Sequence, residues 1–271
     1  MKRSMTLLIC SLAIALYCLV PFLWFVLTSW KSPAELTAIP PKLVPSFHWD
    51  FYRSALQKHG LLQYIVNSVI VAGSATFITI VIGSLAAYAI ARFRLAWTHL
   101  YLLALLVISM FPQIAIAGPV WNILNTMGWL NTYQGLVAAY IALSLPLAIW
   151  ILTTFFHEVP GEIEEAALVD GCSRLQALYK VILPLAAPGI LTAALLVFIH
   201  AWNEFFFALI ILTDPNVQTL PVGIALFPGE YTMPWGEIAA ASTLATLPLI
   251  FLTLLFQRGI IRGLSAGAVK G

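Results

Sequence analysis

The segment of residues 157–188, HEVPGEIEEAALVDGCSRLQALYKVILPLAAP, is the one long polar stretch between two apolar blocks of the chain. Its first fourteen positions hold five of the chain's 11 acidic residues, which are Glu158, Glu162, Glu164, Glu165 and Asp170. A segment this polar cannot lie in the hydrocarbon core of a membrane, where no water solvates it. It therefore predicts a loop with structure of its own.

A short helix is predicted in the first half of this loop. Glu162, Glu164 and Glu165 fall in the first turn of a helical run, where carboxylates favour the positive end of the helix dipole. Gly171 then ends the run.

A second helix is predicted from Ser173, whose hydroxyl caps the backbone while Gln176, three residues later, completes a capping box. Pro184 is expected to end this helix, and Pro188 to begin the next. Its apolar face consists of residues at helical spacing, which are Leu175, Leu178, Val181 and Ile182.

Fixed positions in this loop resemble the cytoplasmic EAA loop of the membrane subunits of ABC importers. The match comprises Glu165-Ala166-Ala167, Gly171, and Val181-Ile182-Leu183-Pro184, with valine where isoleucine is usual. In that family the loop forms coupling helices that dock into a cleft of the ATP-hydrolysing subunit. The residues to which the resemblance gives this ATPase-coupling role are Glu165, Ala166, Ala167, Asp170, Gly171, Leu183 and Pro184. A well-capped cytoplasmic loop without such a role is the alternative.

The composition indicates an integral membrane protein. Of the 271 residues, 61% are hydrophobic and only 9% are charged, and the mean hydropathy is +0.96. The net charge of +2 is too small, and the basic residues too scattered, for nucleic-acid binding. Residues 4–30 are uncharged and exceed the apolar region of a signal peptide, so they are expected to form a retained first span.

Six membrane-spanning helices are expected, since each span needs about 20 apolar residues. They lie at about residues 7–29, 64–91, 98–118, 135–157, 188–212 and 238–257. Gly118, Pro119 and the polar run 131–134 are expected to divide the third span from the fourth. The fold class is thus an all-α membrane protein with six transmembrane helices, and the resemblance makes it a type I ABC importer transmembrane domain with cytoplasmic coupling helices.

Basic residues fix the orientation of the chain. Nine of them, including Arg92, Arg174 and Arg258, fall on the side that carries the acidic loop, which the positive-inside rule makes cytoplasmic together with both termini. We divide the chain into a first helix and external segment (residues 1–63), a transmembrane domain (64–258, with the EAA loop at 158–187) and a cytoplasmic tail (259–271).

The fifth span holds a buried polar set. His200, Asn203 and Glu204 are spaced i, i+3, i+4 and would share one helix face, with Trp202 beside them. Ionisable residues in a span usually face a bundle interior or water. Trp202, Asn203 and Glu204 are therefore candidates for the translocation path or a subunit interface. A metal site lacks a third ligand, so none is expected.

The outer loop of residues 213–237 is rich in proline and glycine. It is interpreted either as a re-entrant cap on the helix bundle or as a probe that enters an external solute receptor, as the corresponding loop does in the maltose-type permeases that this chain resembles. The receptor-contact candidates are Leu220, Pro221, Phe227 and Gly229.

Two further motifs resemble carbohydrate-uptake permeases of the maltose and trehalose type. They are Trp202-Asn203-Glu204-Phe205 and the C-terminal residues 263–271. The resemblance implies import of a sugar, such as trehalose, maltose or glucosylglycerol, across a bacterial inner membrane. It also implies a second homologous permease subunit, two ATP-binding cassette subunits that bind ATP and Mg, and an external solute-binding protein.

No GxxxxGK[ST] phosphate loop occurs in the chain, so no cofactor is expected here and ATP hydrolysis falls to partner subunits. A non-sugar cargo is one alternative. An ion-coupled secondary transporter would use Glu204 as its cation site, but no internal repeat is visible. A membrane enzyme is opposed by the lack of H-E-x-x-H and G-x-S-x-G motifs.

Overall fold

A computed structural model describes residues 2–93, 96–227 and 233–268, and these residues are almost entirely helical. The long helices are α1 (Lys2–Ser29), α4 (Leu61–Arg92), α5 (Thr98–Ser109), α6 (Gln113–Thr126), α7 (Tyr133–Glu158), α11 (Ala187–Asn203) and α14 (Trp235–Ala268). The short helices are α2 (Pro33–Leu36), α3 (Asp50–Gln57), α8 (Gly161–Val169), α9 (Arg174–Ala177), a π-helix (Leu178–Ile182), α10 (Leu183–Leu185), α12 (Phe206–Ile211) and α13 (Leu220–Ala225).

Four helices within these residues are long and apolar enough to cross a membrane, and two bent pairs raise the number to as many as six. The four are Leu7–Ser29, Leu61–Arg92, Tyr133–Glu158 and Trp235–Phe256. The bent pairs are Thr98–Ser109 with Gln113–Thr126, at 90°, and Arg174–Leu185 with Ala187–Asn203, at 82°. The all-α membrane fold expected from composition is confirmed.

The third span is kinked at Pro112, as a proline within a span indicates, but its end differs from its prediction. The break falls at residues 110–112, where Pro112 precedes α6, and Pro119 lies inside α6 instead of ending a helix. Membrane helices tolerate an internal proline because neighbouring groups satisfy the freed carbonyl. The helix ends instead at Thr126, two residues before Gly128, whose φ of +69° is the left-handed conformation that closes helices.

The fifth and sixth spans also differ from their predicted bounds. The fifth is interrupted after Asn203 and resumes at Phe206. The sixth runs from Trp235 to Ala268, so residues 259–268 of the predicted cytoplasmic tail continue the helix. Residues 269–271 lie outside the described residues.

The chain forms two compact units, one of residues 1–65 with 222–248 and one of residues 66–221 with 249–271. The division expected from the sequence placed residues 222–248 in the second domain instead. In the first unit Glu237 of α14 joins α3, where the Ser54 hydroxyl donates to its carboxylate at 2.6 Å. The same carboxylate lies 3.2 Å from Nε2 of His59.

In the second unit, small residues of α4 pack against α7. A Cβ atom at Gly83 would lie 3.3 Å from Cδ1 of Leu152 and 3.6 Å from Cβ of Ala148. This close approach is the role expected of small residues between membrane helices.

Candidate functional site

The two predicted helices of the polar loop are present. After α8, Gly171 adopts a φ of +91°, and the N–H of Cys172 donates to the carbonyl of Ala167 at 3.0 Å, which closes the helix end. Ser173 and Gln176 form the predicted capping box: the Ser173 N–H donates to the Gln176 side chain at 2.8 Å, and the Gln176 N–H donates to the Ser173 hydroxyl at 3.3 Å.

The second helix differs in detail from its prediction. It contains the π-helix Leu178–Ile182 and continues past Pro184 to Leu185, so Pro184 does not end it. Leu178 and Ile182 are buried, but Leu175 is 63% exposed. The apolar face is therefore shorter than predicted and begins at Leu178, within the π-helix.

Beneath this loop lies an apolar cluster of α4, α7, the π-helix and α11. Its buried members are Ala87, Tyr88, Leu152, Phe156, Val159, Leu178, Ile182, Ala186 and Ala193. The cluster attaches the loop to three long helices, so the loop is a packed body and not a flexible connection.

A buried carboxylate, Glu164, lies at the edge of this cluster. Its Oε1 accepts a 2.5 Å hydrogen bond from the Tyr88 hydroxyl, and its Oε2 lies 3.0 Å from Nε of Arg92. Arg174 approaches Oε1 at 3.7 Å. The Arg92 guanidinium also donates to the carbonyl of Val159 at 2.8 Å. One carboxylate thus joins α4, α8 and α9.

The structure separates the coupling candidates by exposure. Glu165, Ala166, Asp170, Gly171 and Pro184 are exposed. The other two are Ala167, which is buried, and Leu183, which is half-buried.

The sequence reasoning missed Glu164, which shares a helix face with Ala167 and Leu168 at spacings of three and four residues. That spacing was the available signal for an inward-facing carboxylate.

A groove of about 440 Å³ opens where two broken helices meet. Its lining residues are Gln113, Ile199, His200, Asn203, Glu204, Phe205 and Phe206. Gln113 begins α6 after the first break, and residues 203–206 surround the second. Broken helices in membranes occur where the backbone is buried in protein or lines a cavity, which makes this groove a candidate for the translocation path.

Glu204 does not share a helix face with His200 and Asn203, because α11 ends at Asn203 and Glu204 has an extended backbone. Its carboxylate instead accepts hydrogen bonds from the N–H groups of Phe207 at 2.8 Å and Ala208 at 3.2 Å. From the position before Phe205, the N-cap residue, the Glu204 side chain thereby caps the start of α12, where a carboxylate satisfies free amides and complements the helix dipole.

The neighbours of Glu204 divide between core and groove. Trp202 is buried and stacks on Phe198 with ring centroids 5.6 Å apart. Asn203 is exposed, and its amide nitrogen donates to the carbonyl of Ile199 at 2.8 Å. Asn203, and not Trp202, therefore presents a polar group to the groove. Among the described residues, no group of three side chains is arranged as metal ligands.

The outer loop after α12 is held by side chains of α4 and of the turn before α7. The amide nitrogen of Asn67 donates to the carbonyls of Asn216 at 3.0 Å and Gln218 at 2.8 Å. Oδ1 of Asn131 accepts from the N–H groups of Thr213 at 2.7 Å and Asp214 at 2.9 Å. These bonds fix the start of the loop, as backbone near a membrane requires.

The receptor-contact candidates are mostly inaccessible. Leu220 and Phe227 are buried, Pro221 is half-buried, and Gly229 lies outside the described residues. Phe227 stacks on His59 at 4.2 Å. The side chains of Leu220 and Phe227 are thus buried within the protein, whereas that of Leu226 is exposed.

Comparison with known proteins gives consistent matches over almost the whole chain. Residues 79–266 match the family described as "Binding-protein-dependent transport system inner membrane component". The trehalose/maltose transport system permease protein MalG of Thermococcus litoralis is 41% identical over 99% of this chain and 98% of its own length. The trehalose transport system permease protein SugB of Mycobacterium tuberculosis is 42% identical over 94% of this chain and 93% of its own.

A third relative, the sulfoquinovosyl glycerol transport system permease protein SmoH of Agrobacterium fabrum, is 40% identical over 93% of this chain and 89% of its own. Among solved structures, a chain of a bacterial ABC transporter involved in the import of the acidic polysaccharide alginate matches with a TM-score of 0.79 and 22% identity. It covers 94% of this chain and 96% of its own. At that identity the likeness establishes the fold.

Proposed function

We propose that this chain, which belongs to the family of binding-protein-dependent transport system inner membrane components, is a permease subunit of an ATP-driven ABC importer for a sugar. One observation carries the proposal: relatives about 40% identical over nearly the whole chain are named as permeases for trehalose and maltose, for trehalose and for sulfoquinovosyl glycerol. The cargo is an oligosaccharide or glucoside of this kind.

The polar loop of residues 158–187, hereafter the coupling loop, supports a mechanism in which an ATPase moves this chain. Its two short helices are capped at the turn and packed on the ends of longer helices, so a force applied to the loop is transmitted as the displacement of a rigid body. The surface that meets the ATPase subunit comprises Glu165, Ala166, Asp170, Gly171 and Pro184. Ala167 and Leu183 support this surface from within.

The energy comes from partner subunits, since the chain has no phosphate-binding loop of its own. Two ATP-binding cassette subunits bind ATP and Mg, and a second homologous permease completes the pore. Closure of the ATPase dimer brings the coupling loops together. The pore then closes on the cytoplasmic side and opens on the outer side, which is alternating access between two states.

The groove between the broken helices is the proposed place where the sugar passes. Asn203 offers hydrogen-bonding groups and Phe205 an exposed aromatic face, the two kinds of group that bind sugar rings. Glu204 shapes this groove indirectly, because it fixes the start of α12. An external solute-binding protein delivers the sugar, and Leu226 is one exposed apolar residue of the outer loop that is available for that contact.

The family description supports the choice of membrane, and the charge distribution supports the orientation of the chain in it. We place the chain in a bacterial inner membrane, in contact with lipid and with both termini in the cytoplasm. Residues 64–258, with the loop at 158–187, form the transporting domain.

Affinity purification of the tagged chain from mild detergent tests the proposal. The eluate is identified by mass spectrometry and assayed for ATPase activity with candidate sugars and purified receptor. We expect an ATPase and a second permease to co-purify, and one liganded receptor to raise hydrolysis. A chain that purifies alone and moves solute in vesicles under an ion gradient would refute the proposal.

A further inference from the structure

We propose that Glu164 is a positioning residue that fixes the coupling loop to the end of α4, so that both move as one rigid body during transport. The inference rests on the proposed function and deepens it. It gives Glu164 a task distinct from that of its neighbour Glu165.

The geometry shows why one carboxylate can do this. Tyr88 and Arg92 lie four residues apart on one face of α4 and both bind Glu164, at 2.5 and 3.0 Å. Arg92 also donates to the carbonyl of Val159, the first residue after α7. One turn of α4 thus binds both the entry to the loop and the inner face of its first helix.

The second half of the loop is tied to the same carboxylate. Arg174, the first residue of α9, lies 3.7 Å from Glu164, and its carbonyl accepts a 3.4 Å bond from the Tyr88 hydroxyl. The two coupling helices therefore share one attachment point on α4, on opposite sides of the Gly171 turn.

Burial gives these contacts a transmitting role that apolar contacts alone lack. Apolar side chains can slide past one another, whereas a buried carboxylate that is ion-paired with Arg92 and hydrogen-bonded by Tyr88 is costly to leave without those partners. Glu164 is buried with its oxygens directed at α4, while Glu165 is exposed and free to meet a partner. Glu164 thus attaches the loop to α4, whereas the adjacent Glu165 faces outward from the same helix.

A distance measurement within the assembled importer tests the rigid-body claim. Spin labels at cysteines replacing Leu85 and Glu162, both exposed, report the separation of α4 and α8 by pulsed electron resonance. Cys10, Cys18 and Cys172 are first replaced by serine. We expect the same narrow distance distribution without nucleotide and with bound ATP. A distance that changes between the two states would overturn the proposal.

The variant Glu164→Gln should broaden that distribution and lower the number of sugars moved per ATP about tenfold. Glu165→Gln removes a carboxylate from the exposed face of the same helix and is the matched control, for which we expect the parental distance distribution. A Glu164→Gln complex with parental distances and parental coupling would overturn the proposal.

Tyr88→Phe is the second variant, because it removes the hydroxyl that bonds to Glu164 and to the Arg174 carbonyl while leaving the carboxylate and both arginines in place. It should broaden the distance distribution less than Glu164→Gln and still lower the coupling ratio. If the Glu164→Gln complex does not assemble, Tyr88→Phe becomes the deciding variant. A parental distance distribution and a parental coupling ratio in Tyr88→Phe would then overturn the proposal. A parental preparation without ATPase activity would instead refute the proposed function, before any variant is compared.

Discussion

Glu164 within α8 of the coupling loop and Glu204 at the break after α11 are both buried carboxylates, 5% and 6% exposed. Their charges are balanced by different groups. Glu164 faces the phenol of Tyr88 and the guanidinium of Arg92, both distant in sequence, and the guanidinium of Arg174 from the same loop. Glu204 faces two backbone N–H groups that follow it within four residues.

The difference shows that a buried glutamate can serve two unlike purposes. Glu164 connects separate elements, so its removal weakens the contacts between α4 and both coupling helices. Glu204 sets local backbone geometry, so its removal acts on the start of α12 and on the groove beside it. Charge compensation is needed in both places, because an unpaired buried carboxylate is costly.

The largest expected effect concerns the ion pair between Glu164 and Arg92. Arg92→Ala leaves Glu164 without its closest cation and should lower the free energy of unfolding by about 3–5 kcal/mol. The control is Arg174→Ala, since Arg174 is 55% exposed where Arg92 is 11% exposed. It should cost less than about 1 kcal/mol. Denaturant unfolding in detergent measures both, and equal losses would show that Glu164 does not depend on Arg92.

A smaller loss of stability is expected when Glu204, which caps α12, is replaced. Glu204→Ala frees two amides of α12 and should cost about 1–2 kcal/mol, with reduced sugar uptake. Asn203→Ala is the neighbouring control on the exposed face and should leave stability within about 0.5 kcal/mol. The same unfolding assay with uptake in vesicles measures both. Full uptake by a stable Glu204→Ala chain would refute the capping role.

The smallest effect concerns Glu35, a third buried glutamate, in the external segment. Hydrogen bonds from the Ser46 hydroxyl, the Ser32 and Ser46 N–H groups and the Lys42 ammonium outweigh the opposing effect of burial and lower the pKa of Glu35 to about 2. The carboxylate thus stabilises the segment fully above its ordinary pKa of 4.5, and this contribution is lost as pH falls toward about 2.

Limited proteolysis of the external segment at stepped pH, with an acid-active protease, checks this expectation. The parental chain should become more susceptible only below about pH 4.5. Glu35→Gln should be more susceptible at neutral pH and lose the pH dependence. A parental segment equally resistant at pH 7 and pH 2.5 would argue against the role of the charged form.

Much of the coupling loop was predictable because its signals act within one or two turns. The capping box of Ser173 and Gln176 and the helix end at Gly171 are local devices, and both are present. The break near Pro112 is local as well. Pro119 misled the prediction, since an internal proline ends a helix only where neighbouring groups do not satisfy the freed carbonyl.

The sequence by itself determined the membrane class, the loop that divides the chain and the caps of its helices, because composition and short-range hydrogen bonding depend on neighbours along the chain. Only the tertiary structure decided which of two adjacent glutamates faces inward. It also made Glu204, which lines the groove, a cap of α12, and it buried Leu220 and Phe227. Those outcomes depend on partners far away in sequence, such as Tyr88 and Arg92 for Glu164, and no local pattern specifies them.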